Sequence, residues 1–246
     1  MTIVGWESKY SEILKDFGYS RKKDNQSCKL LNSLLQKKTR STEIRDLIEN
    51  KPVFVIGAGP SLPSCIAILK KYKKITKIVA DGATKALIEN GLKPDIVVTD
   101  LDGDITSLKK AGRAKTVMVV HAHGDNSEKI HLVKYFKNCI GTTQAKPIGK
   151  VNNFGGFTDG DRCVFLADHF NAKKIILLGM DFGTRIGRYS KGKVENRTTK
   201  IAKLRRGKKL LEWLAKKSES HLYSTTKIKG FTKINIRDIG NIIKCR

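Results

Sequence analysis

Five aspartates stand out by where they fall in the chain: Asp81, Asp100, Asp102, Asp104 and Asp125. Asp81-Gly82 follows Lys77-Ile-Val-Ala80, Asp100-Leu-Asp102-Gly-Asp104 follows Ile96-Val-Val-Thr99, and His121-Ala-His123-Gly-Asp125-Asn126 follows Thr116-Val-Met-Val-Val120. Each polar cluster begins where an apolar, β-branched run stops. Such runs read as buried strands, and in an open parallel sheet ligands bind in the crevice outside the strands' carboxyl ends. Clustered carboxylates repel one another, and burial worsens this unless a cation is present. Asp100 and Asp102 alternate with Leu101, which in an extended conformation turns both carboxylates to one side. Oxygen donors suit a hard cation. The pattern therefore predicts a Mg2+ site able to meet phosphates, with Asp100 and Asp102 at its centre. Asp104 is expected to cap the helix that follows, and Asp95, at the start of its strand, belongs to the other end of the sheet.

His121 and His123 widen the chemistry. H-x-H-x-D also occurs in zinc-dependent hydrolases, but such sites draw more histidine from elsewhere. The remaining ones are His131, His169 and His221, and the first two fall in expected helices. Oxygen ligands dominate, which favours magnesium over zinc. His121 and His123 then stand as candidates for contacting phosphate or substrate, with a hydrogen-bonded structural role equally open.

Two glycine turns could receive phosphate. Val53-Phe-Val-Ile56 reads as a buried strand, followed by Gly57-Ala-Gly59-Pro-Ser61-Leu62 and a helix through Tyr72 that Ser61 could cap. Backbone N–H groups at such a helix start favour an anion. The turn is neither a Walker A, since no G-K-[ST] follows, nor a full G-x-G-x-x-G. Further on, Gly155-Gly156-Phe-Thr158-Asp159-Gly-Asp161-Arg162 opens a helix through Phe170. Its helix-start donors and Arg162 suit a nucleotide phosphate, while Asp159 and Asp161 could pair with Arg162 or hold a ribose; a helix cap with local ion pairs is the plain alternative.

The elements that must carry these groups follow from periodicity. Residues 1–50 read as a helical N-terminal extension: Trp6, Tyr10, Ile13, Leu14 and Phe17 share one helix face, Asp24 could cap a second helix, and Ser41–Glu49 forms a third. Residues 51–183 alternate strands with helices, the signature of a doubly wound, mostly parallel α/β sheet, with the last clear strand at Lys174–Leu178. Residues 184–246 complete the core as a basic loop, a helix over Arg197–Lys217 and one or two short strands. From Thr184 to Lys217 there are 13 Lys+Arg against Glu195 and Glu212. That segment could close over a polyphosphate or serve mainly as a solvated face.

The formal net charge of +26 points to an anionic partner, nucleic acid among them, yet only 7% of residues are aromatic and none interleave with basic residues as base-stacking surfaces do. No apolar run approaches bilayer length and no signal-peptide layout opens the chain, so no membrane partner and a cytoplasmic location are expected. Cys28, Cys65, Cys139, Cys163 and Cys245 are scattered, never in C-x-x-C spacing, as fits buried fillers rather than disulfides or zinc ligands. Oligomeric state is left open, a homo-oligomer included.

Taken in order, G-A-G-P-S-L (57–62), A-D-G-A (80–83), P-D-I-V-V-T-D-L-D-G (94–103), H-A-H-G-D-N (121–126), G-G-F-T-D-G-D-R (155–162) and G-M-D-F-G (179–183) resemble the archaeal 6-hydroxymethyl-7,8-dihydropterin diphosphokinase family of methanopterin biosynthesis. The catalytic region is also similar to thiamin pyrophosphokinases, in which D-G, D-x-D and a later Asp supply the magnesium ligands. Thr99 stands where those enzymes usually have Gly, and Gly103 where they have Ser, which sets the thiamin substrate aside. The resemblance implies that Asp81, Asp100, Asp102 and Asp125 handle Mg2+, and that the turns at Gly57, Gly59 and Ser61 and at Gly155–Arg162 receive ATP or a reduced pterin. It implies transfer of the β,γ-diphosphate of ATP to the pterin hydroxymethyl group with release of AMP. His121, His123 or a metal-bound carboxylate remain alternatives for the base. Two other readings compete: a nucleotide-sugar-using protein akin to flagellar motility accessory proteins, and a basic nucleic-acid-binding module.

Overall fold

In the computed structural model, which describes residues 2–35, 41–190 and 196–244, nine strands form one sheet in the order β6-β5-β4-β3-β2-β1-β7-β8-β9. They are β1 (Pro52–Ile56), β2 (Thr76–Ala80), β3 (Ile96–Thr99), β4 (Val117–Ala122), β5 (Asn138–Thr143), β6 (Val151–Asn152), β7 (Lys174–Leu178), β8 (His221–Ser224) and β9 (Thr232–Lys233). Every pairing between them is parallel. Parallel sheets need both faces covered, and the strand sequences comply. Val53 and Val55 enter one hydrophobic layer, Phe54 and Ile56 the other, and the same alternation splits Ile175 and Leu177 from Ile176 and Leu178. The chain runs outward from β1 to β6, then returns to lay β7 on the other side of β1. The strand order thus reverses between β1 and β7.

The helices are α1 (Trp6–Phe17), α2 (Arg21–Leu34), α3 (Ser41–Ile48), α4 (Leu62–Lys71), α5 (Asp81–Glu89), α6 (Ile105–Arg113), α7 (Asp159–His169), α8 (Arg197–Leu214) and α9 (Ile239–Lys244). Trp6, Tyr10 and Ile13 of α1 share a layer with α7 and α8, whereas Cys28 and Leu31 of α2 join the opposite layer with α4, α5 and α6. The first two helices therefore clasp the sheet from both faces. At their junction Gly18 takes φ 67°, a left-handed conformation that glycine adopts without a Cβ penalty.

Several local expectations are corrected. Ser20, not Asp24, caps α2: its Oγ accepts from Lys23 N at 3.4 Å, and Asp24 is buried one turn in. Ser61 makes no side-chain cap on α4 because its hydroxyl is engaged elsewhere. Asp100-Leu101-Asp102 is not extended: Leu101 sits at φ 67° with its side chain fully buried, so core packing holds a conformation that costs a non-glycine residue roughly 1–2 kcal/mol. α8 ends at Leu214 rather than Lys217, whereas His131 does lie in a helix, the 3₁₀ helix Gly124–Tyr135. Asp104 does cap α6, accepting from Ser107 N at 2.8 Å, and Asp95 does sit at the far end of the sheet, accepting from Lys77 N at 2.8 Å. Cys28, Cys65, Cys139 and Cys163 carry reduced thiols, while Cys245 lies outside the described residues, as does 191–195 of the expected basic loop. Among the described residues no helix is long and apolar enough to cross a membrane.

Candidate functional site: an acidic cleft at the switch-point edge

The carboxyl ends of β1–β5 and β7 open on one cleft. Asp100 and Asp159 line it, and carboxylate oxygens of Asp81, Asp100, Asp102 and Asp159 lie within 4.8 Å of one another. Asp81 starts α5 directly after β2 and is buried; its Oδ2 accepts from Thr99 Oγ1 at 2.6 Å and from Gly103 N at 3.1 Å. Gly103 can come that close only because a Cβ there would fall on Asp81 Oδ1. Leu101 N donates to Thr99 Oγ1 at 2.8 Å, so Thr99 ties the Asp100–Asp102 turn to Asp81. Asp159 arrives from α7 and pairs with buried Arg162 at 3.0 Å.

Bringing four carboxylates together has an electrostatic signature. Burial first, then the neighbouring Asp100 and Asp81, holds the Asp159 carboxyl well above the usual carboxylate range, against the pull of Arg162 and Lys200. Lys200, from α8, is lowered mainly by burial and sustained by Asp159, Asp100 and Asp81. Lys200 lines the same cleft as Asp100 and Asp159. All-oxygen donors at this spacing fit a hard divalent cation of the Mg2+ type.

On one side of the acidic group lies the β1/β7 reversal. Gly57 N donates to Leu178 O at 2.9 Å and Gly59 N to Gly179 O at 2.8 Å. A Cβ at Gly59 would strike Gly179 O at 2.7 Å, so the close approach of the two turns requires glycine. Ser61 N and Oγ both donate to Asp181 Oδ2, at 2.8 and 2.7 Å. The start of α4 therefore already holds an anion of the protein's own. Gly57 and Gly59 line the cleft beside Asp181 and Arg185.

On the other side lie the ends of β4 and β5. His123 Nδ1 accepts from Asp125 N at 3.3 Å, which leaves the proton on Nε2, 3.7 Å from Asp100 Oδ2. His121 is buried in β4, and neither ring nitrogen has a hydrogen-bond partner among the described residues. Burial, reinforced by Arg162 and His123, lowers it well below the usual histidine value, so it is neutral. Asn126 Nδ2 bonds both Asp100 O at 2.8 Å and His121 O at 2.6 Å, fixing β3's turn to β4.

The candidates expected from the sequence gather around this cleft, but not all in one role. Asp81, Asp100 and Asp102 come together, and their fourth neighbour is Asp159, not Asp125. The Asp125 side chain is 60% exposed, with its nearest charged neighbour His123 Nδ1 at 4.0 Å, because the turn into the 3₁₀ helix directs it to solvent. Thr158 and Asp159 line the cleft with Arg162, whereas Asp161 is fully buried and spent on the start of α7, accepting from Phe157 N at 2.6 Å, Thr158 N at 2.8 Å and the Thr158 hydroxyl. Gly155 and Gly156, both at positive φ, back Phe165 and Arg162 and do not line the cleft. Lys200, Gln144, Tyr19 and Phe157 line it unannounced; the basic run signals Lys200 only as one of 13 cations.

Fold and cleft together define a class: a doubly wound α/β protein with a cation-competent acidic centre at the edge where its strand order reverses. The chain belongs to the 6-hydroxymethylpterin diphosphokinase MptE-like family, whose model matches residues 25–187. It is 44% identical to the 6-hydroxymethyl-7,8-dihydropterin pyrophosphokinase of Methanocaldococcus jannaschii over 89% of this chain and 98% of that protein. Proteins of the same name from Pyrococcus furiosus (47%, 85% of this chain and 92% of that one) and Methanothermobacter thermautotrophicus (40%, 89% and 97%) are similarly close. Among solved structures, a Maf glycosyltransferase from Magnetospirillum magneticum superposes with a TM-score of 0.62 at 13% identity, covering 89% of this chain and 39% of that one. At that identity the likeness is one of fold alone. With relatives of the pterin kinase kind matched almost end to end, the nucleotide-sugar reading is not favoured.

Proposed function

We propose that this chain is the 6-hydroxymethyl-7,8-dihydropterin diphosphokinase that its relatives are named for, using ATP and Mg2+ in the cytoplasm to activate a reduced pterin for methanopterin-type cofactor synthesis. The observation that carries the chemistry is the group of Asp81, Asp100, Asp102 and Asp159 in a cleft that Lys200 also lines. Transfer of a diphosphate needs alignment and charge neutralisation more than covalent assistance. Bound to these carboxylates, Mg2+ would supply charge neutralisation on the phosphate oxygens.

The chain's own residues supply the rest. Nucleotide belongs at the β1/β7 reversal, where open α/β sheets bind their ligands, with Arg185 and Lys200 meeting the polyphosphate. The acceptor enters from the β4/β5 side. Its hydroxymethyl oxygen forms a bond to the β-phosphorus, the bond from that phosphorus to the α,β-bridging oxygen breaks, and AMP leaves with that oxygen. The alcohol proton goes to a carboxylate of the acidic group. His123, protonated at Nε2 and facing Asp100, is a donor in this tautomer and orients rather than abstracts. Lys200 and Arg162 balance the charge that moves toward the leaving AMP.

The test is an end-point assay with ATP, Mg2+ and 6-hydroxymethyl-7,8-dihydropterin. AMP formed only in the presence of the pterin supports the assignment; ADP, or no nucleotide product, overturns it.

A further inference from the structure

Gln144, at the exit of β5, is only 3% exposed and lines the cleft. Its amide cannot turn freely. Nε2 donates to Asp24 Oδ2 at 3.0 Å, and Asp24 is itself held by Tyr10 Oη at 2.6 Å and Gly124 N at 2.8 Å. The Gln144 backbone is equally committed, its carbonyl accepting from Trp6 Nε1 at 2.9 Å and Asn153 Nδ2 at 3.0 Å. With the amide so oriented, Oε1 is left as an acceptor with no hydrogen-bond partner among the described residues. A buried acceptor without a donor is costly, and here four elements converge to hold it in that state. Two aromatic rings line the same cleft, Tyr19 and Phe157, 6.2 Å apart between centroids and tilted by 54°.

We propose that this end of the cleft is the acceptor-ring site: a planar heterocycle stacks on Tyr19, meets the tilted Phe157 ring at its edge, and donates an N–H to Gln144 Oε1. The ligand chemistry is that of a 2-amino-4-oxo pyrimidine fused to a second ring, whose amino group and adjacent ring N–H form a donor edge. This rests on the pterin reading above and adds the residues that select the ring. The topology supports the placement: β5 lies on the opposite side of β2 and β3, which carry Asp81 and Asp100, from the β1/β7 reversal. A ring seated at Gln144 and a nucleotide seated at the reversal would meet over the carboxylates. It also gives the N-terminal helices a use, since Tyr19 joins α1 to α2 and Asp24 of α2 aims the amide.

The experiment pairs two readouts, binding of unreactive 6-hydroxymethylpterin followed by its own fluorescence without ATP, and steady-state AMP formation. Gln144→Met, which removes the acceptor, and Tyr19→Ala, which removes the stacking face, are each expected to weaken pterin binding and raise its KM about ten-fold or more, as loss of one base-stacking contact does. KM for ATP should stay within two-fold, and Tyr19→Phe should bind as the parent does. Because Gln144 also buttresses Asp24, the half-buried Tyr19 pair decides the matter if Gln144→Met folds poorly. A rise in KM for ATP instead, or unchanged pterin binding in Tyr19→Ala, overturns the proposal. Guanosine shares the donor edge, and binding of guanosine in place of the pterin overturns the assignment of the ring. If the parent makes no AMP from ATP and pterin, the diphosphokinase reading has failed, and the fluorescence titration still decides whether the Gln144 end takes this heterocycle.

Discussion

Two kinds of aspartate coexist in a chain of net charge +26. Asp24 and Asp161 are nearly inaccessible, and each is saturated with donors: a tyrosine hydroxyl, a backbone N–H and an amide for Asp24, two backbone N–H groups and a threonine hydroxyl for Asp161. Asp81, Asp100, Asp102 and Asp159 instead have their oxygens gathered within 4.8 Å. Asp81 bridges the two kinds, with one oxygen held by Thr99 and Gly103 while the carboxylate joins the group. The first kind spends its charge on holding loops together; the second leaves repulsion stored for a cation to relieve. Burial alone does not separate them. What surrounds each carboxylate does.

The sharpest way to break this comparison is to remove one charge of each kind. Asp100→Asn keeps shape and removes a ligand of the acidic group, and we expect kcat to fall on the order of 10²–10³-fold, the range for loss of a preorganised charge-stabilising group. Thermal stability without metal should be unchanged or slightly higher, since a repulsion is gone. A variant that keeps most of its turnover would dissolve the distinction. Asp24→Ala should do the reverse. It strips the donors Tyr10, Gly124 and Gln144 of their shared acceptor, costing about 3 kcal/mol on the scale of hydrogen bonds to a buried charged group, and lowering Tm by roughly 2–4 °C per kcal/mol for a chain of this size. The rise in Tm on adding Mg2+ should survive. Loss of that response with intact stability would place Asp24 with the other kind.

How much of this is legible in the sequence follows the same division. Strand ends are encoded locally: apolar runs stop at Ala80, Thr99 and Val120, and the order of residues alone therefore puts Asp81, Asp100 and His121 at a sheet edge. Local spacing cannot say which later aspartate completes the group. Asp125 has a motif-like place beside two histidines, but its turn sends it to solvent, whereas Asp159 reads as the first residue of a capped helix and reaches the centre because α7 crosses the sheet. The D-x-D pair misleads in conformation for a related reason: alternation suggests an extended segment, yet burial of Leu101 forces a turn. Lys200 and Gln144 carry no local signal, since only the packing of α8 and the Asp24 network selects them from their neighbours.

The stored repulsion has a pH dependence with a definite sign. The folded-state pKa of Asp159 is raised above its unfolded value by burial and by Asp100 and Asp81. Stability from such a group is complete below the ordinary aspartate value and is lost as pH rises through the folded-state pKa. A divalent cation binds the ionised form, so the Mg2+-induced rise in Tm should be larger at pH 8 than at pH 5. Asp159→Asn should flatten that difference and stabilise the metal-free protein at pH 8. Differential scanning at the two pH values with and without Mg2+ reads both, and an equal shift at pH 5 and pH 8 would show that the acidic group carries no stored repulsion.

The smallest effect is the most selective. Asp125 belongs to neither kind, being 60% exposed with its carboxylate 4.0 Å from His123. Its backbone N–H, not its side chain, sets the His123 tautomer, so Asp125→Ala leaves that hydrogen bond in place. Loss of an exposed charge at that distance is worth at most about 1 kcal/mol. AMP formation and the Mg2+ concentration for half-maximal rate should both stay within about five-fold, the equivalent of that energy. A larger rise in the Mg2+ requirement, with stability unchanged, would mean that the turn after His123 swings inward when the cleft is loaded, and the acidic group would then have five members.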